Sequence, residues 1–282
     1  MRESVASRTA RRVAIRRAEH QILDRPPVFE DPLALRILDE KAAATVRPGA
    51  VSRQQRLSPS FRAFMAVRSR YAEDELRDAV AAGVRQFVVL GAGLDTFAYR
   101  NPYPELNVFE VDHPATQAWK RERLAEGGID IPATMTFVPV DFERQSLEEQ
   151  LAISGFRLES PAFFSWLGVT PYLTDRAFQE TLQFVAARPA GSGIVFDYAV
   201  DPALLNFVER IALAALSERV KKAEEPFQLF LDPEKLEARL RAIGFTQIED
   251  LGRDQMNERY FAGRSDGLRV RGNVAHLIHA GV

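Results

Sequence analysis

The chain predicts a doubly wound α/β fold: a seven-stranded, mostly parallel sheet behind a helical N-terminal segment. Three observations carry this. Short apolar runs alternate with helical stretches from residue 83 onward, at spacings suited to βαβ units. The first run ends in a glycine-rich turn, Gly91-Ala92-Gly93. A capped helix near the end is followed by two strand-like runs, a late pair that completes such a sheet.

Residues 1–82 contain no convincing strand. Helical stretches are expected at 9–23, 31–39 and 61–82, divided by Pro26-Pro27 and by Pro48-Gly49. The polar break at 50–59 is expected to be mobile. Arg2, Arg8, Arg11, Arg12, Arg16 and Arg17 face only Glu3 and Glu19 in the first stretch. No apolar segment follows them, so they read as the solvated face of a basic helix rather than a secretory signal or a nucleic-acid arm. The reading is a helical cap or lid over 1–82 and a Rossmann-like domain over 83–282, together one compact unit.

Residues 85–90 form a continuous apolar run bounded by turn signals, as in a strand buried on both faces of a parallel sheet. Further strands are expected at 107–111, 136–140, 162–166 and 193–198, with a helix at 175–187. Asp232-Pro233 supplies an N-cap and an N1 proline for a helix that ends at Ile243 before Gly244. Strands at 245–251 and 274–280 close the pattern.

The composition narrows the functional classes. A net charge of −2 over 282 residues gives no sign of a nucleic-acid or acidic-lipid partner. The absence of cysteine excludes disulfides, thiolate-bound zinc and thiol nucleophiles, and no metal is expected. No apolar run approaches the ~18–20 residues needed to span a bilayer. These features fit a cytoplasmic protein acting on a small molecule. Nothing in them fixes an oligomeric state.

The loop after the first strand is the candidate binding site. A strand ending in Gly91-Ala92-Gly93 is expected to offer free backbone N–H groups and close approach to a ligand at the carboxyl edge, with Asp95 or Thr96 capping a following helix. Thr96 stands where a dinucleotide fingerprint needs its third glycine. That favours a cofactor without a pyrophosphate, such as S-adenosylmethionine, over the dinucleotide of an NAD-type oxidoreductase. In Glu110-Val111-Asp112, the two acids share a strand face. Asp112 lies nineteen positions after Gly93, close to the ~20-residue spacing of a carboxylate that bonds ribose hydroxyls. At the end of the third strand, Asp141 can accept from an adenine amino group while Phe142 packs on the ring.

With these residues in place, the chain resembles the leucine carboxyl methyltransferase family, especially its bacterial branch related to polyketide O-methyltransferases. The likeness runs through Arg17-Ala18 to Phe29-Glu30-Asp31-Pro32-Leu33-Ala34, then Val67-Arg68-Ser69-Arg70-Tyr71 and Leu90-Gly91-Ala92-Gly93-Leu94-Asp95-Thr96. Phe109-Glu110-Val111-Asp112-His113-Pro114 and Glu258-Arg259-Tyr260-Phe261 complete it. The resemblance implies a class I methyltransferase fold and S-adenosyl-L-methionine as methyl donor. It implies cofactor contacts at Gly91, Ala92, Gly93, Asp112, His113, Asp141 and Phe142. It also implies a partner for the cofactor carboxylate in Arg68 or Arg70. Two residues at i and i+2 diverge by ~200° on a helix, so only one of the two can serve. Many relatives carry a glutamate where this chain has Leu167, which removes an expected carboxylate from the end of the fourth strand and puts turnover in question.

Methyl transfer from a sulfonium is an in-line displacement, to which a protein contributes mainly orientation. A carboxylate acceptor needs no base, whereas a hydroxyl does. The expected activity is therefore an O-methyltransferase acting on a carboxyl or hydroxyl group; a cofactor-binding protein without turnover is the non-enzyme alternative. Asp197, Tyr198 and Tyr172 are the catalytic candidates, with Arg259 behind them. His276 and His279 read as structural.

Overall fold

The computed structural model describes residues 8–46, 59–141, 145–221 and 226–282. Most of the polar break expected at 50–59 lies outside them.

The N-terminal part supplies α1 (Arg8–Leu23), α2 (Glu40–Val46) and the long α3 (Pro59–Ala81). The sheet then alternates as β1 (Gln86–Leu90), β2 (Asn107–Asp112), α4 (Pro114–Glu126), β3 (Met135–Pro139), α5 (Leu147–Ile153), β4 (Phe163–Trp166), α6 (Asp175–Ala186) and β5 (Gly193–Ala199). It closes with α7 (Phe207–Lys221), α8 (Pro233–Ile243), β6 (Gln247–Leu251), α9 (Arg253–Phe261) and β7 (Ala275–Gly281). The seven strands lie in the order β3-β2-β1-β4-β5-β7-β6, with β7 antiparallel to both its neighbours.

Alternation along β1 shows how the sheet is covered. Phe87 and Val89 join one core with α3 and α9, where Ala63, Tyr71, Leu76, Met256 and Phe261 pack. Val88 and Leu90 face the opposite core, built with Phe178 and Leu182 of α6 and Leu240 of α8. The described part of residues 1–82 thus divides in two. α3 covers a sheet face, while α1, α2 and the chain between them form a third apolar cluster with Leu94 and Leu124. α8 starts and stops as its sequence directs, with Asp232 accepting from the Glu234 and Lys235 N–H groups and Gly244 left-handed at φ 116°.

Three expectations are corrected. Residues 31–39 form successive turns instead of a helix: the Ala34 N–H closes on the Asp31 carbonyl at 3.2 Å and the Leu38 N–H on Leu35 at 3.4 Å, three residues back, but the Ile37 N–H closes on Leu33 at 3.0 Å, four back, so no continuous ladder forms. The β1–β2 crossover carries only a 3-10 turn, Phe97–Tyr99, with Thr96 at its N-cap and no side-chain cap bond; Asp95, one position earlier, accepts the Phe97 N–H at 2.8 Å, and Pro102 and Pro104 bar a longer helix. Finally, the basic N-terminal helix is not simply solvated. Arg11 pairs with Asp39 at 2.9 Å and Arg16 with Glu19 at 2.6 Å, and Arg17 is only 5% exposed.

Candidate active site

A cavity of about 410 Å³ opens at the carboxyl ends of β1 to β4. Its centre is where β2 and β4 depart from opposite sides of β1, the topological switch point at which ligands bind in open α/β sheets. Leu90, Asp112, Asp141 and Leu167 reach it from the four strand ends, and α1 closes it with Ala10, Val13 and Arg17.

The glycine loop is shaped by β2 rather than left open. The Gly91 and Ala92 N–H groups both donate to the Val111 carbonyl, at 2.8 and 3.0 Å. The Gly93 N–H donates to Asp112 Oδ2 at 2.6 Å. The expected row of free donors is thus spent inside the protein, which leaves no cradle for a pyrophosphate. Both glycines are left-handed (φ 67° and 46°). A Cβ on Gly91 would meet Val169 Cγ2 at 2.4 Å, and one on Gly93 would sit 3.0 Å from Ala10 Cβ. Asp112 accepts one N–H on each oxygen, the second from His113 at 2.7 Å. A carboxylate has about four lone-pair sites, so half remain for a ligand. Burial raises the Asp112 carboxyl against the pull of those N–H groups.

Thr96, in the place of the missing third glycine, donates its hydroxyl to Asp31 at 2.7 Å. Asp31 also sits 3.0 Å from Arg17, which donates to the Leu94 carbonyl at 2.6 Å and to Asp95 at 3.1 Å. Burial raises the Asp95 carboxyl, but Arg17, Lys120 and Arg100 outweigh it and hold Asp95 below its ordinary range. The substitution therefore ties the N-terminal segment to the loop. Below it, the other acid of β2 is withdrawn from the cleft: Glu110 is buried 2.6 Å from Lys120, and burial pushes its carboxyl up to about 7.

On the β4 and β5 side the anchor is an ion pair. Arg68 and Arg70 diverge as helix geometry requires. Arg68 lines the cavity and pairs with Asp197 at 3.0 Å, both side chains under 10% exposed. Arg70 is turned away and pairs with Asp74 at 2.9 Å. Asp197 also accepts the Gly168 N–H, and its own carbonyl accepts the Thr170 hydroxyl. The Arg68 guanidinium fills the space beside Gly168, 2.9 Å from where a Cβ would stand. Asp197 thus holds Arg68 from behind the cavity lining instead of facing a ligand.

Tyr198 is not brought to the cleft. Strand alternation turns it to the opposite face from Asp197, where its hydroxyl donates to Asp250 at 2.5 Å beside His276. Tyr172 does line the cavity, with its ring 5.2 Å from that of Phe227. His113 and Asp141 line it as well, and Leu167 presents an apolar surface there. Phe142 lies outside the described residues. Arg259 sits on the surface between Glu249 and Glu75, at 3.1 and 3.2 Å. The sequence reading missed Arg17 as a cleft residue, although Arg17-Ala18 lay in the motif; its basic neighbours disguised it as part of a solvated face. Among the described residues no cluster suited to a metal ion occurs, and no helix is long and apolar enough to cross a membrane.

The sheet order, the cleft at the switch point and the glycine loop backed by an acid define a class I methyltransferase fold. Residues 10–186 match the model of the leucine carboxyl methyltransferase family. The chain is 33% identical to YktD of Bacillus subtilis, named as an inferred S-adenosyl-L-methionine-dependent methyltransferase, with 99% of each chain covered. A similarly named protein of Mycobacteroides abscessus is 33% identical over 72% of this chain and 67% of its own. Two crystal structures share the fold at lower identity. An inferred methyltransferase from Thermobifida fusca has a TM-score of 0.60 at 16% identity, over 95% of this chain and 93% of its own. A DUF574 family protein from Streptomyces avermitilis has a TM-score of 0.58 at 17% identity, over 98% and 97%. The chain belongs to the leucine carboxyl methyltransferase family.

Proposed function

We propose that this S-adenosylmethionine-dependent methyltransferase methylates an oxygen of a small metabolite, and that the acceptor is a carboxylate that arrives already ionised. The observation that carries the choice of acceptor is the state of the one histidine among the described lining residues. His113 Nδ1 accepts the Ala115 N–H at 3.2 Å as the cap of α4. The proton of the neutral ring is then on Nε2, and the side chain cannot serve as a base without giving up the cap. Asp95 is committed to Arg17 and the Phe97 N–H, and Asp112 and Asp141, the other acids among the described lining residues, are assigned to the cofactor's ribose and adenine. A hydroxyl acceptor needs a base; a carboxylate does not.

The residues present fit the cofactor. S-adenosylmethionine, when bound, supplies an electrophilic methyl group on a sulfonium. Asp112 keeps lone pairs for ribose hydroxyls, and Asp141 stands at the β3 end for the adenine amino group. Arg68, held by Asp197, offers its remaining N–H groups to the cofactor's carboxylate. Gly91 and Gly93 keep the loop free of side chains. Spending the loop's N–H groups on β2 speaks for a ligand without a pyrophosphate and against an NAD-type oxidoreductase. Tyr172 stands on the acceptor side of the cleft, and the protein's part in the transfer is to hold acceptor oxygen and methyl in line and to exclude water.

Calorimetric titration with S-adenosylmethionine, S-adenosylhomocysteine and NAD, followed by methyl-release assays on panels of carboxylates and phenols, tests this reading. Binding of both sulfur ligands, with turnover on carboxylates first, is the expected result. Binding of NAD alone overturns it. Turnover confined to phenols overturns the acceptor assignment, and tight binding without turnover on either panel returns the chain to a binding protein in which Leu167 has replaced a needed acid.

A further inference from the structure

A second concavity lies along the end of α9 and the 263–271 segment that follows it, and it has the chemistry of an anion site. Its volume is about 470 Å³, and Asn257, Phe261, Arg264, Leu268, Arg269 and Arg271 line it. Three of these are arginines and none is an acid. In the segment 268–271, burial alternates: Leu268 and Val270 are 4% and 5% exposed, whereas Arg269 and Arg271 are exposed. This period of two puts both guanidinium groups on the outer side of the chain. Neither has a carboxylate partner among the described residues, whereas most of the described arginines do.

The backbone that carries them is fixed from both sides. Val270 exchanges two hydrogen bonds with the Asn257 side chain, each 2.9 Å, and the Arg271 N–H donates to Ser60 Oγ of α3 at 2.7 Å. Arg264 is held by both oxygens of Asp266, at 3.0 and 2.6 Å. Gathering like charges in a concavity is unfavourable until a counter-charge enters it. Of the three guanidinium groups only Arg264 has a carboxylate partner, Asp266; the nearby Glu209 carboxylate accepts the Asn273 N–H at 2.9 Å, and Arg269 and Arg271 form no ion pair among the described residues. The fork of an arginine matches phosphate and carboxylate oxygens, and a phosphate monoester carries ≈ −1.5 to −2 charge near neutral pH. Phe261 and Leu268 add an apolar wall for the body of such a ligand.

We propose that Arg269 and Arg271, with Arg264 beside them, form a binding site for the phosphate group of a small organic phosphate monoester, separate from the methyl-transfer cleft. β7 begins antiparallel beside the end of β5, with the Val200 N–H donating to the Val274 carbonyl at 3.1 Å, so the site lies at the same sheet edge as that cleft. It shares no lining residue with it.

The test is calorimetric titration of the full-length protein with phenyl phosphate, inorganic phosphate and benzoate at low salt, with the methyl-transfer cleft saturated by S-adenosylhomocysteine. Saturable binding of phenyl phosphate, weaker binding of inorganic phosphate, and loss of affinity of about tenfold or more in the double variant R269Q/R271Q are expected. Both positions are exposed, so circular dichroism and S-adenosylhomocysteine affinity should match the parent protein. No saturable binding of phenyl phosphate, or equal affinity in the double variant, overturns the proposal. Tighter binding of benzoate than of phenyl phosphate overturns the assignment to phosphate. Failure of S-adenosylhomocysteine to bind bears on the methyltransferase reading alone, because the phosphate titration can be repeated without it.

Discussion

The two walls of the cleft are held by different means. On the β1 and β2 wall, the acid Asp112 is gripped by backbone N–H groups of its neighbour His113 and of Gly93, nineteen positions away in the loop after the adjoining strand. On the β4 and β5 wall, Arg68 from α3 and Asp197 from β5 are joined across 129 positions of sequence. The first arrangement costs little to keep, since the loop needs those acceptors anyway. The second depends on two buried charges satisfying one another. The two polar anchors should therefore fail differently: loss of Asp197 through global stability, loss of the Asp112 carboxylate through ligand affinity.

The largest effect should follow from breaking the ion pair. Asp197→Ala leaves Arg68, with 6% of its side chain exposed, without a counter-charge, and removing one partner of a buried pair costs about 3–5 kcal/mol. Urea unfolding should register this as a fall in midpoint with an unchanged slope. A loss below about 1 kcal/mol would show that water reaches the pair and that the two walls do not differ as described.

Gly91→Ala should come next and locates the rigidity of the other wall. The left-handed conformation costs a non-glycine residue roughly 1–2 kcal/mol, and overpacking against Val169 adds about 1–3 kcal/mol. The double variant G91A/V169A should recover only the second part, since Val169 Cγ2 at 2.4 Å is the sole close atom. Full recovery would mean that the backbone at Gly91 adapts.

Asp112→Asn should weaken S-adenosylhomocysteine binding by about 1.5–3 kcal/mol, the range for hydrogen bonds to charged groups, measured by calorimetry. The thermal midpoint should move far less than in Asp197→Ala. An unchanged affinity would remove Asp112 from the ligand's surroundings, and a collapse in stability would erase the contrast between the walls.

What could be read from the sequence follows the same division. The strand runs and the capped α8 are local or periodic, and the nineteen-residue spacing from Gly93 to Asp112 matches a recurring one, so pattern alone found them. The Arg68–Asp197 pair, the withdrawal of Tyr198 to the opposite face and the role of Arg17 depend on which surfaces of distant elements meet. Thr96 illustrates the boundary: its departure from the dinucleotide pattern was visible, but its bond to Asp31, 65 positions away, required the fold. The loop's N–H groups were expected to be free because the carbonyl that takes two of them, Val111, belongs to the next strand.

The smallest predicted effect bears on a choice the sequence left open, that between Arg68 and Arg70. Arg70 lies two positions beyond Arg68, but its side chain is 46% exposed and its partner Asp74 is also held by Arg77 at 2.8 Å. An exposed pair of this kind contributes about 0–1 kcal/mol, and Arg77 retains the charge on Asp74 when Arg70 is removed. Arg70→Ala should therefore shift the urea midpoint by no more than that and leave S-adenosylhomocysteine affinity unchanged. Arg68→Ala should lower both, because it strands Asp197 and empties the cleft side of Gly168. If affinity instead falls in Arg70→Ala and holds in Arg68→Ala, α3 presents its other face to the ligand, and the ion-paired wall has been assigned to the wrong arginine.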